Sequence, residues 1–318
     1  MTPTQLRAFV AVVRLGSVRQ AAVELGVSEP AVSAHVGQLR KELGDRLFTP
    51  TVAGLAFTPG GLRLASRAAE MLGLQDRTIR EVSQAGGGRR MLRVAASSLF
   101  AEHAAPGLLE LFVKRANDLD VELSVHSPHR FNSLLITRAV DVAIGPRPPD
   151  LDESIVYQPF LKYQMAIVAR PDHPLTAISP SVDQLREQTW LLGPSAASEI
   201  GLVPTILRRI GVPDDRQQIF QSHIAALEEA KRGKGIALAV SFAVSQNLAN
   251  GELKRLSSPA VPTDGVWGIL SLAGRTGQPT ADELTHFVAT PRAIQAMLRG
   301  VGVAVSRFQP AVHVTLWG

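Results

Sequence analysis

Three times before residue 45 a hydroxyl side chain opens a short run of helical apolar spacing and a glycine closes it. Thr2-Pro3-Thr4-Gln5 offers an N-cap hydroxyl, a proline at the first helical position and a glutamine three residues after the cap, a set that satisfies the orphan amides of a helix start. Leu6, Phe9, Val10 and Val13 follow, and Gly16 ends the run. Ser17 opens a second helix whose inner stripe is Val18, Ala21, Ala22 and Leu25, ended by Gly26. Ser28 caps a third with Pro30 in its first turn; Val32, Val36, Leu39 and Leu43 form its expected buried stripe and Gly44 its stop. A short helix, a tight turn and a longer helix make a helix-turn-helix, whose second helix enters the DNA major groove by its N-terminal end. The opposite face of the third helix carries Pro30, Ser33, Ala34, Gly37 and Lys41, all small except the lysine. With Ser28, Glu29 and Gln38, the residues Pro30, Ser33, Ala34 and Lys41 are the expected DNA contacts. Gly37 costs a helix interior about 1 kcal/mol relative to alanine, and close approach of another surface explains it.

Leu47-Phe48 and Leu55-Ala56-Phe57 flank a turn-forming stretch and predict a β-hairpin, which makes the module winged. Thr58-Pro59 opens a helix expected to run to about Ala85. Leu62, Ala65, Ala69, Leu72 and Ile79 form its seam, interrupted by Asp76 and broadened by Leu64, Ala68, Met71 and Val82. So wide an apolar face calls for a partner, and self-pairing is the simplest one. Gly86-Gly87-Gly88 then supplies a joint. Charge follows the same division: residues 1–90 hold 12 Lys plus Arg against 7 Asp plus Glu, whereas residues 91–318 hold 21 of each. A basic module on a neutral one suggests a polyanion-binding head on a body that meets something else.

Ala21-Ala22, Leu25-Gly26-Val27-Ser28, Pro30-Ala31-Val32-Ser33, Leu39, Glu42-Leu43-Gly44, Leu47-Phe48, Thr58 and Gly60 closely resemble the LysR-type transcriptional regulators. The chain departs from that pattern at Glu29, where members usually have glutamine, and at Ala34 and Pro50, where they usually have arginine. The resemblance implies a sequence-specific regulator of double-stranded operator DNA, a homodimer that associates further into a tetramer, and control by a small-molecule effector.

From residue 91 the pattern alternates strand and helix, which points to parallel sheet with crossover helices. Strands are expected at Leu92–Ala96, Val121–Val125, Val142–Ile144, Tyr163–Ala169, Trp190–Leu192, Gln218–Ser222, Gly235–Val240 and Val266–Leu272. Helices are expected at Ala104–Ala116, Phe131–Ala139, Val182–Gln188, Leu202–Ile210, Ala225–Lys231 and Ala281–Leu298. This resembles the family's effector domain, a two-lobed α/β fold like that of periplasmic binding proteins, with crossings placed near Tyr163-Gln164 and Gly265-Val266. The expected organisation is a winged helix-turn-helix at 1–58, a linker helix and hinge at 59–90, an effector domain at 91–300 and an extension at 301–318. One lobe takes about 91–163 and 266–300, the other about 164–265. Ligands of such folds sit at the carboxyl ends of strands, so Ser97, Ser98, Arg147, Ser195, Ser198, Ser222, His223 and Ser241 are the expected effector contacts. Hydroxyls and amides around Arg147 suit a small carboxylate-bearing molecule.

The absence of cysteine excludes disulfides and thiolate chemistry. No window reaches a membrane-spanning length of apolar residues, so a cytoplasmic protein without a membrane partner is expected. Arg232-Gly233-Lys234-Gly235 lacks the spacing of a phosphate loop. His126 and His129 lack the companions of a metal site, and nothing resembles a nucleophile elbow. No metal, no cofactor and no enzymatic activity are expected. The alternative function is a cytoplasmic small-molecule-binding protein whose head serves only dimerisation. Val312, Val314 and Leu316 leave an added edge strand, an interface arm or a disordered tail open for the extension.

Overall fold

A computed structural model of the chain describes residues 1–51, 54–85, 90–116, 118–258, 263–273, 279–299 and 312–315. It divides into two compact units, Met1–Gly87 with Ile136–Ala139 and Gly88–Leu135 with Val140–Gly318. No helix among the described residues is long and apolar enough to cross a membrane.

The N-terminal unit begins with α1 (Pro3–Leu15), α2 (Val18–Leu25) and α3 (Glu29–Leu43). All three caps form. Thr2 Oγ1 accepts from Gln5 N while Gln5 Oε1 accepts from Thr2 N, a reciprocal pair at 3.3 and 2.7 Å. Ser17 and Ser28 accept from Gln20 N and Ala31 N, each at 3.3 Å. Gly16, Gly26 and Gly44 close the helices at φ 64–65°, the left-handed region in which glycine has no Cβ penalty. Val32, Val36 and Leu39 are buried with Leu6, Phe9, Val12, Ala21 and Ala22 in one core. Leu43 is not: it lies beyond the last buried turn of α3 and is 44% exposed, so the buried stripe is one residue shorter than its periodicity suggests. The wing is β1 (Phe48–Thr51) paired antiparallel with β2 (Gly54–Phe57), Phe48 opposite Phe57. Phe48 stacks on Phe9 with centroids 6.3 Å apart, and Arg40 lies over its ring while donating to Phe48 O at 2.8 Å.

Helix α4 (Pro59–Ala85) starts where Thr58 Oγ1 accepts from Gly61 N at 2.9 Å. A Cβ at Gly61 would lie 2.0 Å from Leu47 O, so only glycine lets this turn approach the wing. The expected seam of α4 splits between two environments. Ala65 and Leu72 pack, with buried Ala68, against the core of α1 to α3, whereas Leu62 and Ile79 are exposed.

The second unit contains β3 (Arg90–Ala96), α5 (Ser98–His103), α6 (Ala105–Val113), β4 (Leu119–Val125), α7 (Phe131–Ile136), β5 (Val142–Gly145) and the fifteen-residue β6 (Ile155–Ala169). It continues through α8 (Val182–Arg186), β7 (Trp190–Leu192), α9 (Leu202–Ile210), β8 (Gln217–Ile219), α10 (His223–Lys231), β9 (Ile236–Val240), α11 (Ser245–Ala249) and β10 (Lys254–Leu256). Last come β11 (Asp264–Leu272), α12 (Pro279–Val288), α13 (Pro291–Arg299) and β12 (Val312–Thr315). The strand order is β12-β4-β3-β5-β11-β6-β9-β7-β8, with β10 beside β6. Pairing is parallel from β12 to β5 and from β9 to β8, as the alternating pattern implies. The middle, β5-β11-β6-β9, is antiparallel, because β6 and β11 carry the chain out of one lobe and back. Strand β6 pairs with β11 as far as Gln164, opposite Asp264, and with β9 from Met165 onward.

One expected helix is two: the segment 281–298 breaks where Pro291 starts α13. The helix expected at 104–116 is α6, with Pro106 in its first turn, and the short α5 before it is not among the expected helices. Strand β6 begins eight residues before Tyr163, in a stretch whose Val156, Gln158 and Pro159 are exposed and so give no apolar run. At the C-terminus, Val312–Thr315 pair in parallel with β4, an added edge strand.

Because Leu39 is fully buried and Leu43 is not, Leu39→Ala is expected to destabilise the N-terminal unit by about 2–5 kcal/mol and Leu43→Ala by less than about 1 kcal/mol. Hydrogen-exchange protection of α1 to α3 in the full chain measures both.

Candidate functional site

The carboxyl ends of β3, β4, β5, β7 and β8 open on one cleft of about 630 Å³. Its walls are largely apolar, with Leu99, Leu123, Ile200 and Leu202 among them. The inner wall is aromatic. Trp267 of β11, fully buried, stacks on Tyr163 of β6 with centroids 4.1 Å apart and meets the edge of Phe100 at 5.1 Å. A Cβ at Gly265, which pairs with Tyr163 across the ladder, would lie 2.3 Å from the tyrosine ring. Glycine at that position therefore lets the ring lie flat on the crossing strands.

Ser97, Ser98, Ser195, Ser198 and Ser222 all line the cleft, but most of these hydroxyls already have partners. Ser222 accepts from Ala225 N as the cap of α10, and Ser198 bonds both N and O of Ile200. Ser195 Oγ lies 2.8 Å from His223 Nε2. Ser97 differs: it is the N-cap of α5, yet its buried hydroxyl caps nothing and has no hydrogen-bond partner among the described residues. Two further buried cleft atoms share that condition, Trp267 Nε1 and His126 Nδ1.

Three expected contacts fall outside the lining. Ser241 bonds Arg255 instead, and the His223 ring is buried behind the wall. Arg147 is exposed on its proline-flanked loop, and the arginine on the cleft is Arg130, which follows β4. His129 faces Glu199 at 3.3 Å while His126 lines the cleft, so the two histidines form no pair. Burial, then the charge of Arg130, lowers the His126 pKa, which favours its neutral ring.

From Glu102 on the cleft wall a cluster extends inward that the sequence does not advertise. Glu102 of α5 reaches the start of α10, where its carboxylate accepts from His223 N at 2.9 Å and Ile224 N at 2.8 Å and meets His223 Nδ1 at 2.6 Å. The two amides are orphan donors of a helix N-terminus, and a carboxylate satisfies both their hydrogen bonds and the helix dipole. Burial pushes the Glu102 carboxyl up, but the His223 bond and charge, with His103, outweigh it and hold the group at about 2. Burial, then His223, lowers His103 to about 4. His103 is thus neutral at pH 7. Gly193 makes room for this ring, since a Cβ there would lie 2.3 Å from His223 Cδ2.

On the N-terminal unit, Ser28, Glu29, Pro30, Ser33, Ala34, Gln38 and Lys41 are all exposed, and a Cβ at Gly37 would meet nothing within 4 Å. The outer face of α3 is therefore open to solvent along its first three turns.

A basic three-helix unit with a wing, joined to a two-lobed α/β unit with a cleft at its strand ends, defines a helix-turn-helix transcriptional regulator with an effector domain. Residues 3–62 match the bacterial regulatory helix-turn-helix protein, lysR family, and residues 85–291 match the LysR substrate binding domain; the chain belongs to the LysR family. It is a DNA-binding transcriptional regulator rather than an enzyme, and that membership decides against a head serving dimerisation alone. The HTH-type transcriptional regulator Rv0377 of Mycobacterium tuberculosis is 58% identical over 320 residues, covering 100% of both chains. The RuBisCO operon transcriptional regulator of Allochromatium vinosum is 26% identical over 91% of this chain and 96% of its own. Among solved structures, full-length LysG of Corynebacterium glutamicum with bound effector Arg superposes at a TM-score of 0.52 with 20% identity, covering 95% of this chain and 100% of that one.

Glu102→Ala is expected to strip two α10 amides and the His223 ring of their acceptor and to destabilise the second unit by about 2–3 kcal/mol. Urea unfolding followed by tryptophan fluorescence reads this, because Trp190 and Trp267 both lie in that unit.

Proposed function

We propose that this regulator acts as a homodimer or tetramer that reads its operator with the outer face of α3 and answers to a carboxylate-bearing molecule with an apolar body. The observation that supports the effector class is the set of unpartnered buried atoms on the cleft, Ser97 Oγ, Trp267 Nε1 and His126 Nδ1, within otherwise apolar walls. Buried polar groups are rarely left without partners, and an indole N–H is a donor only. A ligand filling this cleft therefore presents an acceptor to Trp267, a hydroxyl or carboxylate oxygen to Ser97, and hydrocarbon or an aromatic ring to the leucines. Arg130 supplies the cation for a carboxylate, the role that the sequence alone gave to Arg147. A screen of aliphatic and aromatic carboxylic acids by thermal shift tests this. Arg130→Ala is expected to weaken binding of the acids that stabilise the wild type by about 10–100-fold, the worth of a charge-assisted bond, while Arg147→Ala leaves their affinity unchanged. Equal loss in both variants, or none in Arg130→Ala, rejects Arg130 as the anchor.

For DNA, the small exposed side chains of α3 favour close approach of its backbone to the groove, with Ser33, Ala34 and Gln38 within reach of base edges and Lys41 toward phosphate. Glu29 is suited to accept from cytosine N4. Leu62 and Ile79, the exposed members of the α4 seam, and half-exposed Ala69 are the surface offered to a second copy, while Ala65 and Leu72 serve the head's own core. Ser33→Arg is expected to change the sequences recovered in a binding-site selection while altering stability by less than about 0.5 kcal/mol, as fits an exposed position. Unchanged selection with an unchanged fold would remove Ser33 from the interface.

A further inference from the structure

His103 is 2% exposed, and neither Nδ1 nor Nε2 has a hydrogen-bond partner among the described residues. An imidazole carries one donor and one acceptor, so a buried ring with both unmet is costly unless something else occupies them. Its neighbours are suited to the same occupant. One ligand atom each from Glu102, His103 and His223 can be chosen so that all lie within 4.8 Å of one another, and the two histidine rings are 5.5 Å apart. An ion about 2.1 Å from each of three such atoms spaces them by about 3.4–4.2 Å, a distance that small side-chain rotations reach from this geometry.

We propose that Glu102, His103 and His223 form a binding site for a divalent transition-metal ion of the zinc type, set between the two lobes beside the effector cleft. Two imidazoles and one carboxylate favour zinc and its first-row neighbours over magnesium and calcium, which take oxygen ligands. The surroundings already have the form that metal-binding histidines require. His223 presents Nδ1 to the carboxylate side while its Nε2 is held at 2.8 Å by Ser195 Oγ, a partner that fixes the tautomer and the ring plane. Glu102 is anchored by the His223 and Ile224 amides. Three protein ligands leave one position of a tetrahedral ion for water or for a donor atom of the effector. Glu102 and His103 come from α5 in one lobe and His223 from α10 in the other, so the ion ties the lobes together. Ser195 and Glu102 both line the cleft, which puts the ion's own ligand and its outer-shell partner in contact with the effector's space.

The test uses the full chain, free of any histidine tag, stripped with chelator and then titrated with Co²⁺ and Zn²⁺. Expected are one Co²⁺ per chain retained through dialysis, visible absorption of a tetrahedral nitrogen–oxygen site, displacement by Zn²⁺, and a rise in thermal stability with either ion. His103→Phe keeps an aromatic ring in the buried position but removes a ligand, and is expected to weaken Co²⁺ binding by more than about 100-fold. Ser195→Ala, which removes only the outer partner, is expected to weaken it by about 10-fold. A wild-type chain that is folded by circular dichroism yet retains no Co²⁺ or Zn²⁺ at micromolar concentration overturns the proposal without recourse to any variant. So does Co²⁺ binding that His103→Phe leaves as tight as wild type, since the ion then sits elsewhere.

Discussion

The second unit depends on a single carboxylate. Glu102 sits on a six-residue helix in one lobe and terminates a helix of the other, satisfying two main-chain amides and a histidine ring at once. A buried carboxylate with fewer partners would be expelled or protonated, and a helix start without an acceptor would be equally costly. Each deficit is met by the other. The arrangement also explains what surrounds it: Gly193 must be a glycine to admit the ring, Ser195 must sit where it holds Nε2, and the hydroxyl of Ser222 is left to cap only Ala225 N. Among the cleft's polar atoms, the network leaves Ser97 Oγ, Trp267 Nε1 and His126 Nδ1 without a partner among the described residues.

The N-terminal unit was legible in the sequence because its determinants are local. A cap hydroxyl and the amide it bonds are three residues apart, and a stop glycine adjoins the helix it ends, so α1, α2 and α3 can be read in order from Thr2 to Gly44. Strand-end logic likewise found the cleft, since Ser97, Ser98, Ser195, Ser198 and Ser222 all reach it. It did not find what each hydroxyl does there, because a cap, a ring partner and an orphan look alike as serines. Glu102 and His223 are 121 residues apart, and no periodicity links them. His103 and Trp267 pass unnoticed for the same reason, and His126 draws attention only as half of a metal pair with His129: each reads as an ordinary core or loop residue until the opposite side of its environment is known. Arg147 and Arg130 both follow strands, and only the fold separates the exposed arginine from the one on the cleft.

Helix α4 shows how one apolar face can serve two masters along its length. The periodic seam predicted from the sequence is real as a helical stripe, but its Ala65 and Leu72 complete the core of the head while Ile79 lies past that core and remains exposed. A heptad-like pattern records burial and says nothing of which surface does the burying. The same ambiguity applies to Leu43, whose phase matches Val36 but whose position falls after the last covered turn.

The strand order imposes a sequence of events on the growing chain. Strand β11 lies between β5 and β6, so the sheet of the first lobe lacks a central member until residues 264–272 have been made. Everything from Met165 to Thr263 is spooled out before then, and Met165 N donates to Thr263 O at 2.7 Å, which brings the two ends of that excursion side by side. The second lobe is therefore a closed loop of chain that can be finished while the first is still open at its middle. Until β11 is made, β5 has an open edge on the side that β11 later fills, and an open strand edge is a template on which another chain can pair.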